Sequence, residues 1–536
     1  MPGFAGGNVA LAGLPQTSFW SNRKSFFLAL LVATGTWQYN LDTTIINGFQ
    51  AMQGFLKVFG DPTPGGKYKI ETVFQQLITS LLQVGLILAS AALGPFSRYW
   101  GRRAGFFVAS AIGCISITIQ ILVTSRVAVY IARLLLGISN GGLVNLVVLW
   151  ISETSPAHLR GSFVSSFAVF QGAGGIIGAV ISKAFANNLS KHSYQFQLII
   201  LYIVPVWLMI WSVFMPESPR WLATQGREEE AARSLRRVRG AHYSEDHIQA
   251  ELALISQAIQ AEKAAQAGVS FFDIFKGTDL RRTLLCCGAV TLHASSGINT
   301  FVGFATVFFQ IAAPGSDAFR NTIIFQCCGF VGALSAPFLA MYVGRKTLLL
   351  GSFGASTICF LVVGALNEVY PTTGGGSSNR ASGQTLVAMI CIFIAAYNVS
   401  IGPIAWSVAA ELPSNRLRSL TFGFSMMVGF IAAWLTVFTT PRYLNELGPR
   451  VAWIWMPSCF ISFLWILFFL PETQGRTLEE LDELFANRVS AWKFKKYVCV
   501  GSTTTVAGGS PHNSSREKDL DKAEEAREEE VRGVLA

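Results

Sequence analysis

The sequence predicts an all-α membrane protein in which twelve transmembrane helices form two six-helix bundles. Three observations predict this fold: few charged residues, many apolar segments long enough to cross a bilayer, and motifs that recur in the second half of the chain. Hydrophobic residues make up 51% of the 536 residues and charged residues only 13%, whereas about 25% are charged in a typical soluble protein. The mean hydropathy of +0.44 agrees with this, so the composition excludes an ordinary soluble domain.

Apolar segments account for most of the chain. A spanning helix needs about 20 mainly apolar residues, and twelve segments meet that length. Because the number is even, we expect both termini on the same side of the membrane. The predicted spans are 25–54, 72–96, 104–124, 127–151, 162–186, 196–215, 282–311, 321–342, 347–367, 384–409, 419–440 and 449–470.

Basic residues indicate which side that is. Arg98, Arg102 and Arg103 follow the second span, Arg345 and Lys346 follow the eighth, and more basic residues lie between the sixth and seventh. Basic residues gather in loops that stay in the cytoplasm, so we predict that both termini are cytoplasmic. The same bias explains the net charge of +10 without a nucleic-acid partner.

A polar, helix-prone segment between the sixth and seventh spans is expected to link the two bundles. The tail opens on "GRTLEELDELF", a plausible amphipathic helix, and is expected to be disordered after about residue 500, where apolar residues are scarce. The predicted divisions are a cytoplasmic N-terminal segment 1–24, a first bundle 25–216, a cytoplasmic linker 217–281, a second bundle 282–471 and a cytoplasmic tail 472–536.

Residues with the potential for other chemistry are few. Nine cysteines are scattered without metal-ligand spacing and are interpreted as free thiols, so neither a metal site nor a cofactor is predicted. No pairing of a nucleophile with a base is visible, and an enzyme is not predicted. Asn188 begins an Asn-Leu-Ser sequon in a predicted external loop, although such triplets also arise by chance.

Three motifs recur between the halves. "GRR" at 101–103 corresponds to "GRK" at 344–346, "SETSPAHLRG" to "AELPSNRLRS", and "PESPR" to "PETQGR". Parallel repeats of six helices that hold a substrate between them near the middle of the membrane are typical of alternating-access transporters.

Together with the repeats, a set of longer motifs indicates a family. In chain order these motifs are "RLLLGISNG", "PESPRWL", "SGIN", "GPIAW" and "PETQGRTLEELDELF". Over about residues 25–485 the chain resembles the sugar porter family of the major facilitator superfamily, especially its fungal sugar/H+ symporters. This resemblance implies a transporter of a sugar or related polyol in the plasma membrane, and we expect it to act as a monomer.

Asp42 lies inside the first apolar segment, in "WQYNLDTTIINGF". A carboxylate at that depth is costly unless it has a partner or a function. The resemblance implies that Asp42 carries the coupled proton and that Arg133, in "YIARLLLG", is its partner. A nearby cation favours the charged carboxylate, and its departure favours proton uptake. The alternative is a static buried pair that only fixes helix packing.

The resemblance also implies a sugar pocket, with Trp406 of "GPIAW" and Asn299 of "SGIN" as contacts. Gly402 and Pro403 are expected to loosen the helix just before Trp406. The family's aromatic, amide and other polar positions are otherwise altered, and we expect a substrate larger or less polar than a hexose because glycines leave space. The altered positions are Ala168 for a Gln, His293 and Ala294 for two Gln, Gly303 and Phe304 for an aromatic pair, and Gly429 for a polar residue.

Two polar residues near these altered positions have two interpretations each. Gln171 lies about one turn after Ala168 and is either a relocated substrate ligand or a helix–helix hydrogen-bonding group. His293 either hydrogen-bonds the substrate or titrates near neutral pH, or it is a neutral histidine hydrogen-bonded between helices.

The repeated motifs also contain acids and bases that the resemblance assigns to a gating lattice of salt bridges. The alternative is that these charges only set the topology. The family's Asp before each Gly-Arg turn is replaced by Arg98 and Met341, so we expect a weakened or rebuilt lattice. The gating candidates are Arg102, Arg103, Glu153, Arg160, Glu217 and Arg220 in the first half and Arg345, Lys346, Glu411, Arg418, Glu472 and Arg476 in the second.

The function predicted from these residues is proton-coupled import of a mono- or disaccharide or a related polyol. Three alternatives are facilitated uniport of the same substrates, a sugar sensor that does not transport, and export of a small secondary metabolite.

Overall fold

The computed structural model describes most of the chain between Asn22 and Tyr497, and almost all of the described residues are helical. The described ranges are 22–63, 68–156, 159–240, 243–266, 268–313, 316–370, 380–414, 416–474, 476, 478–494 and 497. The predicted disorder after residue 500 and the N-terminal residues 1–21 lie outside these ranges.

Six transmembrane helices form the first bundle. Helix 1 is interrupted by a short 3-10 turn, helices 2 and 3 are joined at a single glycine, and helix 6 contains a short break. Their bounds are Arg23–Ala33, Thr34–Thr36 and Trp37–Phe49 for helix 1, Thr72–Leu122 for helices 2 and 3, Arg126–Thr154 for helix 4, Arg160–Phe185 for helix 5, and His192–Ile200 with Ile203–Phe214 for helix 6.

Six more transmembrane helices form the second bundle, and two of them are interrupted within the membrane. Their bounds are Gly277–Ser295 with Ile298–Ala312 for helix 7, Ala318–Tyr342 for helix 8, Arg345–Val369 for helix 9, Arg380–Ala396, a π-turn Tyr397–Ile401 and Gly402–Glu411 for helix 10, Arg418–Leu447 for helix 11, and Ala452–Phe469 for helix 12 after a 3-10 turn Gly448–Val451.

Shorter elements complete the described chain. A small helix and an antiparallel pair of two-residue strands lie between helices 1 and 2. Four helical elements form the linker, and one helix follows helix 12. Their bounds are Gln53–Phe59, Asp61–Pro62 and Tyr68–Lys69, then Pro219–Thr224, Glu228–Arg239, Glu245–Gln266 and Phe271–Phe275, and finally Leu478–Ala486.

The apolar lengths agree with a membrane fold. Within the described residues, eight segments are long and apolar enough to cross a membrane, and two of these, Thr72–Leu122 and Arg418–Phe469, each contain two spans. Helices 1 and 7 complete the set of twelve spans; both are interrupted. The predicted all-helical fold of two six-helix bundles is confirmed.

Gly101 separates helices 2 and 3. Its φ of 83° and ψ of −178° interrupt the helix, and this positive φ favours glycine because a β-carbon is strained there. A β-carbon at Gly101 would also lie 2.6 Å from an oxygen of Glu217. The glycine of the "GRR" motif therefore permits the turn and leaves room for a neighbouring carboxylate.

The linker lies at one end of the bundles, which we call the linker face. Ser25, near the start of helix 1, donates a hydrogen bond to the Val238 carbonyl of the linker at 2.9 Å. Arg282, at the start of helix 7, pairs with Asp482 of the final helix. The far end of the bundles is called the opposite face. Among the described residues, the linker and the beginning and end of the chain thus lie on the same side.

Several predicted boundaries differ from the structure. The first span, expected over 25–54, ends at Phe49, and a separate helix begins at Gln53. Helix 7, expected to be continuous, breaks between Ser295 and Ile298. In the predicted loop 368–383, helix 9 continues to Val369 and helix 10 begins at Arg380, while residues 371–379 lie outside the described residues. Apolar length alone does not reveal where a break falls.

Candidate functional site

Asp42 and Arg133 form an ion pair in the interior of the first bundle. The Arg133 guanidinium donates to Asp42 Oδ1 at 2.8 Å, and the two side chains are 1% and 0% exposed. A second guanidinium nitrogen, Nε, donates to the Ile78 carbonyl at 2.8 Å. Helices 1, 2 and 4 therefore meet at this pair.

The carboxylate of Asp42 is only partly satisfied. Its second oxygen, Oδ2, is buried and has no hydrogen-bond partner within the described residues. Tyr39 lies one turn earlier on helix 1, within electrostatic range of Asp42, and its hydroxyl accepts a hydrogen bond from Gln83 of helix 2 at 3.3 Å. An unpaired carboxylate oxygen is chemically able to accept a proton.

Three of the four predicted substrate-binding residues lie together in the second bundle. The His293 ring lies 5.8 Å from that of Trp406, measured between centroids, and the side chain of Asn299 interacts with His293. Asn299 Nδ2 is buried without a hydrogen-bond partner among the described residues. Trp406 also contacts the ring of Phe430. The cluster thus offers an aromatic face and an unused amide donor.

Tyr397 joins this cluster, although sequence reasoning did not single it out. Its hydroxyl is hydrogen-bonded to Nδ1 of His293, and the two rings meet edge to face with centroids 5.7 Å apart. Tyr397 begins the π-turn of helix 10, immediately before the Gly402–Pro403 pair that was expected to loosen this helix. π-turns often mark functional sites.

The break in helix 7 positions the other side of the cluster. Gly297 adopts a left-handed conformation with φ of 77°, which glycine tolerates best. A β-carbon at Gly297 would lie 2.6 Å from the ring of Trp455. The "SGIN" motif therefore forms the break itself, and Asn299 falls in the first turn of the helix that follows.

Tyr39 connects the two halves of the site. It lies within electrostatic range of Tyr397 as well as of Asp42. The buried ion pair of the first bundle is therefore followed by a tyrosine on each side of the bundle boundary and then by the His293 cluster. Tyr39 is thus within electrostatic range both of the ion pair and of Tyr397 in the His293 cluster.

The remaining pocket predictions concern Gln171 and the glycines that were expected to leave space. Gln171 is half-buried on helix 5, and its carbonyl accepts a hydrogen bond from Asn40 of helix 1 at 2.9 Å. The expectation that glycines leave space holds at Gly303, where a β-carbon would meet nothing within 4 Å. It is wrong at Gly429, where a β-carbon would lie 2.1 Å from Val290, because helices 7 and 11 pack closely there.

At the linker face, acids of the first bundle hold the turn between helices 2 and 3. Glu153 accepts two hydrogen bonds from the Arg102 guanidinium, at 2.6 and 2.8 Å. Glu217 accepts the backbone N–H groups of Arg102 and Arg103 at 3.0 and 3.1 Å, and a carboxylate is favourable at the N-terminus of a helix. The Arg103 guanidinium donates to carbonyls of helix 6.

The second bundle repeats this arrangement. Glu411 pairs with Arg345 and accepts a hydrogen bond from Thr473 at 3.0 Å. Glu472 accepts the backbone N–H groups of Arg345 and Lys346, both at 3.1 Å. A β-carbon on Gly344 would lie 2.5 Å from an oxygen of Glu472. The repeated glycine, basic pair and two acids are therefore one structural device used twice.

Other gating candidates contact residues other than the acids nearest to them in the repeated motifs. Arg220 pairs with Glu262 of the linker at 2.5 Å rather than with Glu217. Arg476 lies 3.8 Å from Glu480 and donates to carbonyls of the tail. Arg418 lies within electrostatic range of Glu411. The side chain of Arg160, at the start of helix 5, lies outside the described residues.

Hydrogen bonds join the two bundles in the half of the molecule nearer the opposite face. Asn47 of helix 1 accepts the Thr306 N–H at 3.0 Å and donates to the Val302 carbonyl at 3.4 Å. These two groups would normally bond to each other within helix 7, which is distorted at Phe304. The Asn47 amide thus binds a backbone donor and a backbone acceptor of this distorted stretch, and the bundles are closed together here.

Other contacts at this face support the closure. Gln326 of helix 8 donates to Thr44 of helix 1 at 3.1 Å. At the rim, Lys183 of helix 5 pairs with Asp317, which precedes helix 8. Partial burial would raise the pKa of Asp317, but the hydrogen bonds from Lys183 and a backbone amide outweigh it, and the pKa is lowered from its ordinary value of 3.8.

Asn188 lies in the exposed connection between helices 5 and 6, at the opposite face. Its side-chain oxygen accepts the backbone N–H of Ser190 at 3.0 Å. The sequon is therefore on the surface, and its use stays a prediction.

Sequence reasoning missed Tyr397, Asn47 and the Lys183–Asp317 pair. A buried tyrosine or asparagine in an apolar segment was the available signal for the first two. Lys183 lies in the last turn of helix 5 and Asp317 immediately precedes helix 8. The two residues are 134 positions apart, and no local sequence pattern relates them.

Paired six-helix bundles with a repeated turn motif and a buried charge pair are typical of membrane transporters that hold a substrate between two repeats. Residues 28–485 match the family model described as "Sugar (and other) transporter". The chain belongs to this family, the sugar porters of the major facilitator superfamily, and is a multi-pass membrane protein.

Similar proteins agree with this assignment. Hexose transporter HXT10 of Saccharomyces cerevisiae is 27% identical over 488 residues, which cover 89% of this chain and 88% of the relative. The Galactose transporter of the same yeast is 28% identical over 485 residues, with 88% and 83% covered. These relatives are transporters, not enzymes.

Solved structures show the same fold. The proton:xylose symporter XylE of E. coli has a TM-score of 0.68 and 22% identity, covering 87% of this chain and 100% of XylE. The nucleoside transporter NupG has a TM-score of 0.52 and 16% identity, covering 82% of this chain and 97% of NupG.

Proposed function

We propose that this protein imports a sugar or a related polyol together with a proton, as a monomer in the plasma membrane. The observation that carries the proposal is the buried Asp42–Arg133 pair. The second oxygen of its carboxylate has no hydrogen-bond partner among the described residues, and Asp42 lies within electrostatic range of Tyr39. The similarity to a hexose transporter and a galactose transporter of yeast supports a sugar as the substrate.

The pocket has the chemistry that a sugar requires. An aromatic ring supports the apolar face of a sugar ring, and Trp406 supplies one. Polar side chains bind its hydroxyl groups, and Nδ2 of Asn299 is a buried donor without a hydrogen-bond partner among the described residues. The open space at Gly303, where a β-carbon would meet nothing within 4 Å, is compatible with a substrate larger than a hexose, such as a disaccharide. Gln171 is a further candidate ligand on helix 5.

Coupling follows from the ion pair. While Arg133 faces Asp42, the cation favours the charged form of the carboxylate and offsets part of the cost of burial. When the bundles rock and the pair separates, Asp42 takes up a proton, which travels with the substrate. A membrane potential contributes about 2.3 kcal/mol per charge per 100 mV, which is enough to drive accumulation.

The orientation of the protein is also part of the proposal. We infer that the linker face is cytoplasmic, because the basic residues gather there and the positive-inside rule places such loops in the cytoplasm. The present conformation, closed at the opposite face, then faces inward. The charge clusters of Glu153, Glu217, Glu411 and Glu472 would close the cytoplasmic side when the bundles rock, as a gate with two stable arrangements.

Uptake into proteoliposomes tests the proposal. With an inward proton gradient, the protein should accumulate substrate and acidify the lumen, and a protonophore should abolish accumulation. Asp42→Asn should lose accumulation but keep exchange of substrate across the membrane. Arg126→Gln, which removes two surface ion pairs made by a residue on the same helix as Arg133, is the matched control and should behave like the parent.

The alternatives give different results. Uptake that a protonophore leaves unchanged, with no proton flux, identifies a facilitative uniporter. Binding without any transport identifies a sensor, and transport only out of the cell identifies an exporter. Growth of a transport-null cell on a panel of monosaccharides, disaccharides and polyols identifies the substrate.

A further inference from the structure

A cavity of about 520 Å³ lies at the linker face, outside the substrate pathway. The ends of helices 3 and 6 form one wall and the linker helix Glu228–Arg239 forms the other. The wall on the bundle side is apolar and largely exposed: Trp100 is 69%, Phe107 46% and Val213 57% exposed. Exposed side chains of this kind on transmembrane helices face lipid, so the cavity opens at the edge of the membrane.

The opposite wall is basic. Arg227, Arg233 and Arg237 of the linker line the cavity together with Arg103 of helix 3. Two acids are also present, but both are already engaged. Glu230 pairs with Arg227 at 2.6 Å, and the carboxylate of Glu217 is taken up by backbone N–H groups at the start of helix 3.

Arg233 and Arg237 stand out from the other arginines of this linker helix. They lie one turn apart and are exposed, and within the described residues neither pairs with a carboxylate. The Arg233 side chain makes only a long hydrogen bond of 3.4 Å, to the Glu229 carbonyl. In contrast, Arg236 pairs with Glu245, and Arg239 is buried against Glu251.

We propose that this cavity binds the phosphorylated headgroup of an anionic phospholipid in the adjacent leaflet. Two guanidinium groups spaced by one helical turn match phosphate oxygens, which arginine binds in a bidentate manner. The acyl chains would lie against the exposed apolar wall beside Phe107 and Val213. Basic pockets at the cytoplasmic ends of transmembrane helices recognise lipid headgroups in this way. Only the choice of leaflet depends on the proposed orientation of the protein; the binding site itself does not.

Binding there would fasten the linker to the first bundle. The linker already docks beside the cavity, because the Trp221 indole donates to the Arg98 carbonyl at 2.9 Å and Ser234 donates to the Glu217 carbonyl. Glu217 is also the acid that holds the turn between helices 2 and 3. A bound headgroup would therefore stabilise the same turn that the gating cluster uses.

The test uses the full-length protein in nanodiscs of phosphatidylcholine with or without phosphatidylinositol 4-phosphate, with bound lipid counted by native mass spectrometry. Arg233→Gln/Arg237→Gln should weaken binding about 25-fold, since each basic residue near a membrane contributes about 1 kcal/mol. The matched control, Arg236→Gln/Lys263→Gln, removes the same charge from linker positions outside the cavity and should bind as the parent does.

Further measurements separate the possible results. Arg233→Lys/Arg237→Lys keeps the charge but loses the guanidinium fork, and it should bind more weakly than the parent and more tightly than the Gln variant. Thermal unfolding without the anionic lipid should be the same for all variants, so that lost binding is not lost folding. Equal losses in the matched control, or equal binding of phosphatidylcholine, would overturn the proposal.

A soluble competitor distinguishes the lipid from a free phosphate ligand. Inositol 1,4-bisphosphate should displace the lipid only weakly, because it lacks the acyl chains that contact the apolar wall. If it binds as tightly as the lipid, the site takes a soluble phosphate compound and the lipid proposal is wrong. This experiment does not measure transport, so a failure of the lipid proposal is distinguishable from a failure of the transport proposal.

Discussion

Removing Arg133 is the sharpest test of how the protein tolerates a charge in its interior. Arg133→Met keeps most of the side-chain volume but removes the donor that lies 2.8 Å from Asp42 Oδ1. Asp42 is 0% exposed, and its other oxygen already lacks a partner among the described residues. The variant therefore leaves an isolated carboxyl group in a region with no access to water.

The magnitude follows from the geometry. Two unit charges about 4 Å apart attract by about 4 kcal/mol at an effective dielectric constant of about 20, and breaking a buried pair typically costs about 3–5 kcal/mol. Replacing both members by neutral groups is often close to neutral, because the cost of burying each charge also disappears. Arg133→Met should therefore destabilise by about 3–5 kcal/mol, and Asp42→Asn/Arg133→Met should recover most of this loss.

Unfolding of the purified variants in one detergent at neutral pH measures these differences. Arg126→Met is the control, since Arg126 is on the same helix but pairs at the surface with Asp61 and Glu71, and exposed pairs contribute only about 0.2–1 kcal/mol. The reasoning fails if Arg133→Met is no less stable than Arg126→Met. It fails equally if the double variant is as unstable as Arg133→Met alone.

Three further predictions concern the pocket and the closed face. Trp406→Ala should raise KM for uptake by about tenfold or more, as the loss of an aromatic contact of about 1.5 kcal/mol implies, and an unchanged KM would place the pocket elsewhere. Asn47→Ala removes the side chain that binds two helix 7 backbone groups, at a cost of about 1–3 kcal/mol for a group left unpaired, so spin-label distances across the opposite face should show a more open population; identical distances would exclude this role. Asp317→Asn should open the same face only slightly, by about 0.2–1 kcal/mol. Because pairing with Lys183 lowers the pKa of Asp317, this contribution is complete above the ordinary value of 3.8 and is lost as the pH falls below it. The distances in the parent should therefore not change through this pair between about pH 5 and pH 8, and a change confined to that range that Asp317→Asn abolishes would contradict the assignment.

Much of the architecture could be predicted because its causes are local. The twelve spans follow from apolar length, since each backbone polar group in lipid must be satisfied within its own helix. The two bundles follow from the repeated motifs. The ion pair of Asp42 and Arg133 was also predictable, because a charge among apolar residues requires a partner and the resemblance indicated which one.

The interruptions were only partly predictable. The Gly402–Pro403 pair indicated a loosened helix 10, and the structure has a π-turn immediately before it. In helix 7 the break at Gly297 was not expected, because a glycine in an apolar helix is often tolerated and only its φ of 77° shows that it ends a helix. The ring of Trp455, which occupies the place of a side chain there, is remote in sequence.

Apolar length, basic bias and the repeated motifs thus determined the class of fold, because each can be recognised without knowing how the helices pack. The buried acid was identified by its position inside an apolar segment. Apart from the Asp42–Arg133 pair, most contacts between distant segments were decided by the tertiary structure alone. Glu217 and Glu472 bind backbone N–H groups of the Gly-Arg turns, Tyr397 reaches His293, and Asn47 binds backbone groups of helix 7. Such contacts depend on the rotation and separation of helices that the chain connects only at a distance, and no local pattern encodes these two quantities.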